Sequence, residues 1–217
     1  MPTVVQHAGV LGSPIAHSLS PILHSAGYAA CGLRDWRYGR REVTAGELAF
    51  VVGTLDDSWR GLSLTMPLKE VAFEVATTVS EVARSAGAIN SLVRRADGGW
   101  DATNTDVTGL VASIARVEHD GRARVLGSGA TARSAVLALA EVGVERLTIA
   151  ARNPGLEAVL AADLASSRAD NPTNAPYDVL TREAGLIDPL GNVKGYVDPV
   201  APTVETRINT NYNSFNG

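Results

Sequence analysis

The stretch R-V-L-G-S-G-A-T-A at residues 124–132 decides the fold of this chain, because two glycines join an apolar strand to a helix. Residues 130–142 continue with an alanine-rich helical pattern that ends at Gly143. Residues 146–151 are the next apolar run, which is typical of a strand. Strand, glycine turn, helix and second strand in this order predict a βαβ unit with parallel strands.

The glycine turn of this unit predicts a binding role as well as a fold. Glycines let the backbone approach a pyrophosphate, which binds at the positive N-terminus of the following helix. A plain turn between strand and helix is the alternative interpretation, and the complete βαβ context favours a dinucleotide. The candidate cofactor-binding residues of the turn are Gly127, Ser128, Gly129, Ala130 and Thr131.

The end of the second strand distinguishes the two nicotinamide dinucleotides. An NAD site usually places Asp or Glu there to bind the ribose 2′-hydroxyl, whereas the 2′-phosphate of NADP attracts a cation. Arg152 and Asn153 follow the strand here, and no acid is present. A solvated arginine would explain Arg152 but not the missing acid, so the sequence predicts NADP as the cofactor.

The first hundred residues alternate apolar runs with helical patterns, which is typical of an α/β domain. Residues 8–12 predict a buried strand. Ser20 followed by Pro21 predicts a helix N-cap with proline at the first helical position, and Gly32 predicts the end of that helix. Further predicted elements are strands over residues 36–43 and 61–65, a hairpin over 89–103, a helix over 44–55 with the capping-box pair Thr44 and Glu47, and a helix over 105–117.

Composition excludes several classes of protein. The net charge of −4 argues against a nucleic-acid partner, which would need a clustered basic face. The apolar runs are too short to span a bilayer, and no signal-peptide pattern is evident, so we expect a soluble cytoplasmic protein. Cys31, the single cysteine, excludes an intrachain disulfide, and the four histidines show no metal-site spacing, so no metal is expected.

Residues 169–217 differ in composition from the rest of the chain. They contain seven Asn, five Pro and four Gly, together 16 of 49 residues. Buried parallel strands need near-continuous apolar runs, and the best run here, residues 177–180, carries Asp178. We therefore expect no further strands of a doubly wound sheet in this part of the chain, and a dinucleotide domain that is incomplete.

Four short motifs precede the glycine turn, and each has an ordinary structural explanation by itself. They are S-L-S-P at residues 18–21, T-M-P-L-K at 65–69, G-A-I-N-S at 87–91 and N-T-D at 104–106. Taken singly, they fit a helix cap, a surface lysine on a first helical turn, a turn into a strand and an acid at a helix dipole. In this order, with the glycine turn, they resemble the shikimate dehydrogenase family over about residues 9–152.

The resemblance implies a fold and an activity. The fold is an N-terminal α/β substrate-binding and catalytic domain over residues 1–104, followed over 105–217 by an NADP-binding Rossmann-like domain with an atypical tail from about 169. The active site lies in the cleft between them. The activity is the NADP-dependent reversible reduction of 3-dehydroshikimate to shikimate by a monomer or homodimer. A quinate/shikimate dehydrogenase and a truncated, non-catalytic remnant that binds a nucleotide or ligand remain open as alternatives.

The resemblance also implies roles for individual residues. Lys69 corresponds to the catalytic lysine, paired with Asp106, that exchanges a proton with the substrate oxygen. Ser18 and Ser20 correspond to the serines that hold the substrate carboxylate. The groups that bond the ring hydroxyls correspond to Thr65, Asn90 and Asp106, and the cofactor contacts correspond to residues 127–131 and to Arg152 for the 2′-phosphate.

The chain departs from the family pattern at three places. The family's turn reads G-A-G-G-A, whereas residues 127–131 read G-S-G-A-T, a change among small residues. The family's second NADP arginine falls on Leu156, so we expect reduced affinity for the 2′-phosphate. Residues 169–217 lack a counterpart of the family's terminal helix, whose glutamine contacts the substrate. We therefore expect weak or absent dehydrogenase activity from this chain.

Overall fold

The computed structural model describes residues 5–150 and 178–181. These residues form an α/β fold with two sheets, one of six strands and one of three. The larger sheet is built within residues 6–103, and the smaller sheet contains the predicted βαβ unit. The predicted fold class is therefore confirmed. The domain boundary after residue 104 and the completeness of the second domain remain predictions.

The larger sheet consists of β1 (Gln6–Gly12), β2 (Trp36–Glu42), β3 (Trp59–Leu64), β4 (Thr78–Val79), β5 (Ser91–Arg94) and β6 (Trp100–Thr103). The strand order is β2-β1-β3-β5-β6-β4. β1 is parallel to both β2 and β3, whereas β5 runs antiparallel to β3 and β6. The pairing of β5 with β6 confirms the predicted hairpin. Gly98 in its turn has a φ of +87°, which favours glycine.

The helices of this region are α1 (Ser20–Ala30), α2 (Leu48–Gly53), α3 (Leu68–Val71) and α4 (Glu81–Ala86). The predicted capping box is confirmed, since the backbone N–H of Thr44 donates to Oε2 of Glu47 at 2.9 Å. A short 3₁₀ turn, Ala45–Glu47, then leads into α2. Gly87 follows α4 directly, and its φ of +57° places it in the left-handed region, as is common after a helix.

One face of the larger sheet forms the main hydrophobic core. Leu11 lies opposite Leu64, and Leu62 lies opposite Leu92, with each of these side chains at most 3% exposed. The α2 side chains that join this cluster are Leu48, Val51 and Val52. Burying one such side chain contributes about 1.5–3 kcal/mol. The core therefore fixes the strands whose ends carry the candidate site.

Aromatic contacts hold α1 against the strands. The His24 ring of α1 stacks on the Tyr38 ring of β2 with 3.9 Å between centroids. The Tyr38 hydroxyl donates to Oγ of Ser63 on β3 at 2.8 Å. Burial raises the pKa of Tyr38, with the bond to Ser63 acting in the opposite direction. These contacts hold α1 against β2, and through Tyr38 they extend to β3.

The smaller sheet consists of three parallel strands, β7 (Arg122–Leu126), β8 (Arg146–Ala150) and β9 (Asp178–Thr181), in that order. The expectation that residues 169–217 provide no further parallel strand is therefore wrong at β9. That expectation required a continuous apolar run. A four-residue strand beside β8 needs mainly its backbone groups to pair, so the charge of Asp178 does not prevent it.

Helix α5 (Thr105–Ile114) connects the two sheets, and α6 (Ala130–Glu141) connects two strands of the smaller sheet. α5 follows β6, and α6 lies between β7 and β8. Small side chains let them pack closely, in a buried cluster of Ala86, Ala88, Val107 and Ala138. α6 is the longest described helix, at 12 residues, whereas a bilayer span needs about 20. No helix among the described residues could therefore span a membrane.

Candidate active site

The carboxyl ends of β1 and β3 place two of the predicted site motifs next to each other. These strands are parallel neighbours, so the loops that follow them leave the same edge of the sheet. The Thr65 N–H donates to the Leu11 carbonyl at 3.0 Å, and the Ser13 N–H donates to the Met66 carbonyl at 2.9 Å. Backbone hydrogen bonds thus continue beyond the strands and hold the two loops together.

Lys69 and Asp106 meet at this edge although they are 37 residues apart in sequence. Lys69 lies in the first turn of α3, and Asp106 lies in the first turn of α5. Nζ of Lys69 is 2.5 Å from Oδ2 of Asp106, and the two side chains are 11% and 28% exposed. The pair is therefore largely enclosed but still open to a small molecule on one side.

Asn90 orients the acid of this pair. Its Nδ2 donates to Oδ1 of Asp106 at 2.7 Å and to the Thr105 hydroxyl at 2.9 Å. Its Oδ1 accepts the Thr105 N–H at 2.9 Å. One carboxylate oxygen of Asp106 thus faces Lys69 and the other faces Asn90. Because a carboxylate offers about four lone-pair positions, Asp106 can still accept a further hydroxyl.

Thr65 lies on the short connection between β3 and α3, half-buried, four residues before Lys69. Its carbonyl accepts the Leu68 N–H at 2.8 Å, which starts α3 and positions Lys69. The structure therefore brings four predicted site residues to the carboxyl end of β3 and the N-terminal end of α5. They are Thr65, Lys69, Asn90 and Asp106. This set contains an ammonium, a carboxylate, an amide and a hydroxyl, which suit proton transfer to a polyhydroxylated molecule.

Ser18 and Ser20 lie on the loop after β1 and at the start of α1, both half-buried. The prediction that Ser20 is the N-cap is wrong, because Ser20 is the first helical residue and the N-cap is Leu19. The Ser18 hydroxyl instead accepts the Ser20 N–H at 3.3 Å. The helix begins one residue early because proline is tolerated anywhere in the first turn, where its missing N–H has no partner to lose.

No hydrogen bond within residues 5–150 joins these two serines to Lys69 or Asp106. A positive charge that the motifs did not suggest lies beside their loop instead. Nη1 of Arg40 donates a hydrogen bond to the Ser18 carbonyl at 3.3 Å. Arg40 lies on β2, beside β1, and is exposed. An arginine next to two hydroxyls is suited to a carboxylate. The signal in the sequence was the basic run at residues 40–41.

The glycine turn follows β7 at the carboxyl edge of the smaller sheet. Gly127 has a φ of +121°, and a Cβ added at Gly127 or Gly129 would meet no atom within 4 Å. Within the described part of the chain, no side chain caps the first turn of α6, so its N–H groups are available. These features fit a phosphate. Ser128, Ala130 and Thr131 belong to the same turn, whereas Arg152 and Asn153 lie outside the residues that the structure describes.

Comparisons with known proteins agree with this geometry. Residues 10–92 match the family model described as the shikimate dehydrogenase substrate binding domain. Over 161 residues the chain is 44% identical to the shikimate dehydrogenase (NADP(+)) of Hyphomonas neptunium, covering 72% of this chain and 58% of that protein. The chain belongs to the shikimate dehydrogenase family. The family that the motifs indicated is thus confirmed.

Further members of the shikimate dehydrogenase family match this chain at similar identity and over similar shares of its length. The shikimate dehydrogenase (NADP(+)) of Caulobacter vibrioides is 40% identical over 189 residues, which are 82% of this chain and 64% of that protein. The crystal structure of Mycobacterium tuberculosis shikimate dehydrogenase superposes with a TM-score of 0.71 at 43% identity, covering 83% of this chain and 66% of that one. The chain thus spans 58% and 64% of the two curated relatives.

The structure also identifies residues near the site that the motif comparison did not assign. Asn104 has a side chain that is fully enclosed between α5, α6 and the residue Ala88. Asn104 is the N-cap of α5, and no local pattern in the sequence predicted its partner on α6. Nε of Arg133 on α6 lies 3.9 Å from Oε1 of Glu70, beside Lys69. Within the described residues, no cluster of His, Cys, Asp and Glu could hold a metal ion.

Proposed function

We propose that this chain catalyses the NADP-dependent reversible reduction of 3-dehydroshikimate to shikimate. The observation that carries the proposal is the pair of Lys69 and Asp106, held by Asn90 beside the loops of a shikimate dehydrogenase substrate binding domain. A partly enclosed ammonium next to a carboxylate is suited to exchange a proton with a carbonyl or hydroxyl oxygen. The relatives from Hyphomonas neptunium and Caulobacter vibrioides are both named shikimate dehydrogenase (NADP(+)).

Lys69 is the proton-transfer group in this proposal. In the reducing direction its ammonium donates a proton to the carbonyl oxygen, which becomes the hydroxyl of the product. Asp106 holds the ammonium at the reacting oxygen through the contact at Nζ and accepts a substrate hydroxyl with a remaining lone pair. Bound NADPH would supply the hydride, and the protein supplies binding and orientation.

The remaining substrate contacts divide between the two loops. Thr65 and Asn90 offer a hydroxyl and an amide to the ring hydroxyls. Ser18 and Ser20, with Arg40 at the same loop, offer hydroxyls and a positive charge to the carboxylate. A bifunctional arrangement of this kind requires a ligand with a carboxylate at one end and hydroxyls at the other, as shikimate has.

The cofactor in this proposal is NADP, bound at residues 127–131. The open glycine turn and the uncapped start of α6 support a phosphate there. Arg152 and Asn153 would then receive the 2′-phosphate, since no acid stands directly after β8 in the sequence. We further propose a cytoplasmic enzyme that works as a monomer or homodimer, which sedimentation would distinguish.

The test incubates the purified protein with 3-dehydroshikimate and NADPH. The consumption of NADPH is measured by its absorbance. We expect turnover with NADPH that exceeds turnover with NADH, and NADP⁺ reduction in the reverse direction with shikimate. A larger rate with quinate than with shikimate would favour a quinate/shikimate dehydrogenase. Binding of NADP⁺ or shikimate without turnover would instead identify a non-catalytic remnant.

A further inference from the structure

Both polar atoms of the Asn104 side chain are hydrogen-bonded, while only 1% of the residue's surface is exposed. Nδ2 donates to the Ala88 carbonyl at 3.0 Å and to Oγ of Ser134 at 2.9 Å. Oδ1 accepts the N–H of Asp106 at 2.9 Å and the N–H of Val107 at 3.4 Å. A buried amide that is satisfied on every side has one orientation, and it fixes the groups that it bonds.

These bonds join three segments that each carry part of the proposed site. Ala88 precedes Asn90, which orients the Asp106 carboxylate. The N–H of Asp106 belongs to the start of α5. Ser134 lies one helical turn into α6, is 0% exposed, and donates from Oγ to the carbonyl of Ala130, the first residue of that helix. A continuous chain of hydrogen bonds thus runs from the glycine turn to Asp106.

The residues around this series of hydrogen bonds exclude water. Ala86, Ala88, Val107 and Ala138 form the buried cluster around it, and each of them is at most 3% exposed. In such an apolar setting a lost hydrogen bond cannot be replaced by solvent, so the bonded arrangement is strongly favoured over any displaced one. The geometry of α5 relative to α6 is therefore set by these bonds as well as by packing.

We propose that Asn104 is a positioning residue which, through Ser134, couples the glycine turn at residues 127–131 to the pair of Lys69 and Asp106. This inference rests on the proposed function, because the turn would carry the dinucleotide and the pair would carry the proton. Hydride and proton must reach one substrate at adjacent atoms. Small misplacements of reacting groups lower the rate far more than they lower binding.

The coupling goes beyond the capping of α5. Capping uses only Oδ1 of Asn104, and serine caps a helix about as well as asparagine does. The two bonds from Nδ2 add nothing to the cap and instead reach Ala88 and α6. Asn104→Ser therefore keeps the cap and removes the cross-link. Ser134→Ala removes the partner on α6 while keeping a small side chain that favours a helix.

Ser113→Ala provides a matched control. Ser113 lies on α5, and its hydroxyl donates to the Gly109 carbonyl at 2.8 Å, the same bond within its own helix that Ser134 makes to Ala130. Ser113 is exposed, and its hydrogen bond stays within α5. Loss of its hydroxyl reproduces the local change of Ser134→Ala without touching the connection between helices.

The first readout separates kcat from KM in the wild type and the three variants. We expect Ser134→Ala and Asn104→Ser to lower kcat by about tenfold or more, because the reacting groups are misaligned. The KM for shikimate and the Kd for NADP⁺ should stay within about twofold, since each binding surface remains intact. Ser113→Ala should match the wild type. A kcat near that of the wild type in both test variants overturns the proposal, as does an equal loss in Ser113→Ala.

The second readout needs no turnover. The amide protons of Asp106 and Val107 are bonded by Oδ1 of Asn104, so their hydrogen exchange reports the hold of Asn104 on α5. Ser134→Ala should accelerate their exchange by about tenfold more than it accelerates exchange of the amides in the larger sheet, which report any general loss of stability. Unchanged exchange overturns the coupling. If the wild-type chain shows no dehydrogenase activity, the proposed function fails, and exchange alone decides the coupling.

Discussion

Gly12 and Thr65 face each other across the ends of β1 and β3, so closely that Gly12 has no room for a side chain. A Cβ added at Gly12 would overlap Cγ2 of Thr65 and lie 2.9 Å from the Met66 carbonyl oxygen. One of these neighbours belongs to backbone that cannot rotate away. The lack of a side chain at Gly12 therefore allows the observed position of Thr65, whose hydroxyl belongs to the proposed substrate site.

Gly12→Ala should displace Thr65 and the Met66 backbone. We expect a loss of about 1–3 kcal/mol in the free energy of unfolding, which is typical of overpacking, and a raised KM for shikimate. Gly39→Ala is the control, because Gly39 pairs with β1 from β2 and an added Cβ there meets nothing within 4 Å. Urea unfolding and steady-state kinetics measure both effects. Equal stability of the two variants would show that the loop yields without strain.

Lys69→Ala should lower kcat by about 10²–10⁴-fold, the usual contribution of a positioned acid or base. Asp106 keeps its bond to Asn90 and its favourable place at a helix N-terminus, so the melting temperature should change little. Lys69→Arg should keep the ion pair and still lose turnover, because a guanidinium does not release its proton. Arg116→Ala, which removes an exposed charge after α5, should retain full activity. Turnover near wild type in Lys69→Ala would leave Lys69 without a role in proton transfer.

Ser18→Ala and Ser20→Ala should each raise the KM for shikimate without changing the Kd for NADP⁺. Neither should cost the stability of a lost N-cap, typically about 1 kcal/mol, because the N-cap of α1 is Leu19. Thermal unfolding together with KM measurements tests both statements. A lowered melting temperature with normal substrate binding in Ser20→Ala would restore the capping role.

Arg152→Ala should weaken NADP⁺ binding and leave NAD⁺ binding nearly unchanged. The guanidinium is the donor proposed for the 2′-phosphate, a group that NAD⁺ lacks. Fluorescence titration of the wild type and the variant with both cofactors gives the ratio of variant to wild-type Kd for each cofactor. An equal loss of affinity for NAD⁺ and NADP⁺ would remove the argument for cofactor discrimination.

Asp97 should titrate at an unusually low pH. The hydrogen bond from Arg95, with a smaller contribution from the Gly99 N–H, lowers its pKa from 3.8 to about 2. A lowered pKa in the folded state stabilises the protein above the unfolded value, and this contribution is lost as the pH falls from about 4 to about 2. Arg95→Met should raise the pKa toward 3.8, as measured by NMR titration. Arg122→Met removes the similar contact with Asp120 and should leave Asp97 unchanged.

Local chemistry in the sequence predicted much of the fold. The two members of the capping box, Thr44 and Glu47, are three positions apart, and the hairpin at Gly98 turns within one short segment. Such patterns depend on neighbours along the chain, so their physical cause is present in the sequence itself. The order of the motifs was equally decisive for the family, because a series of five short patterns carries far more information than any one of them.

The sequence determined by itself the α/β class, the family and the residue types of the site. Only the tertiary structure decided which of them meet. Lys69 reaches Asp106 across 37 residues, and Asn104 reaches Ser134 across 30. The cap of α1 was misjudged by one residue for a local reason, because proline is tolerated throughout the first helical turn. The strand β9 was misjudged because its backbone pairs with β8, far away along the chain. Contacts of this kind depend on the packing of whole elements, which no local pattern encodes.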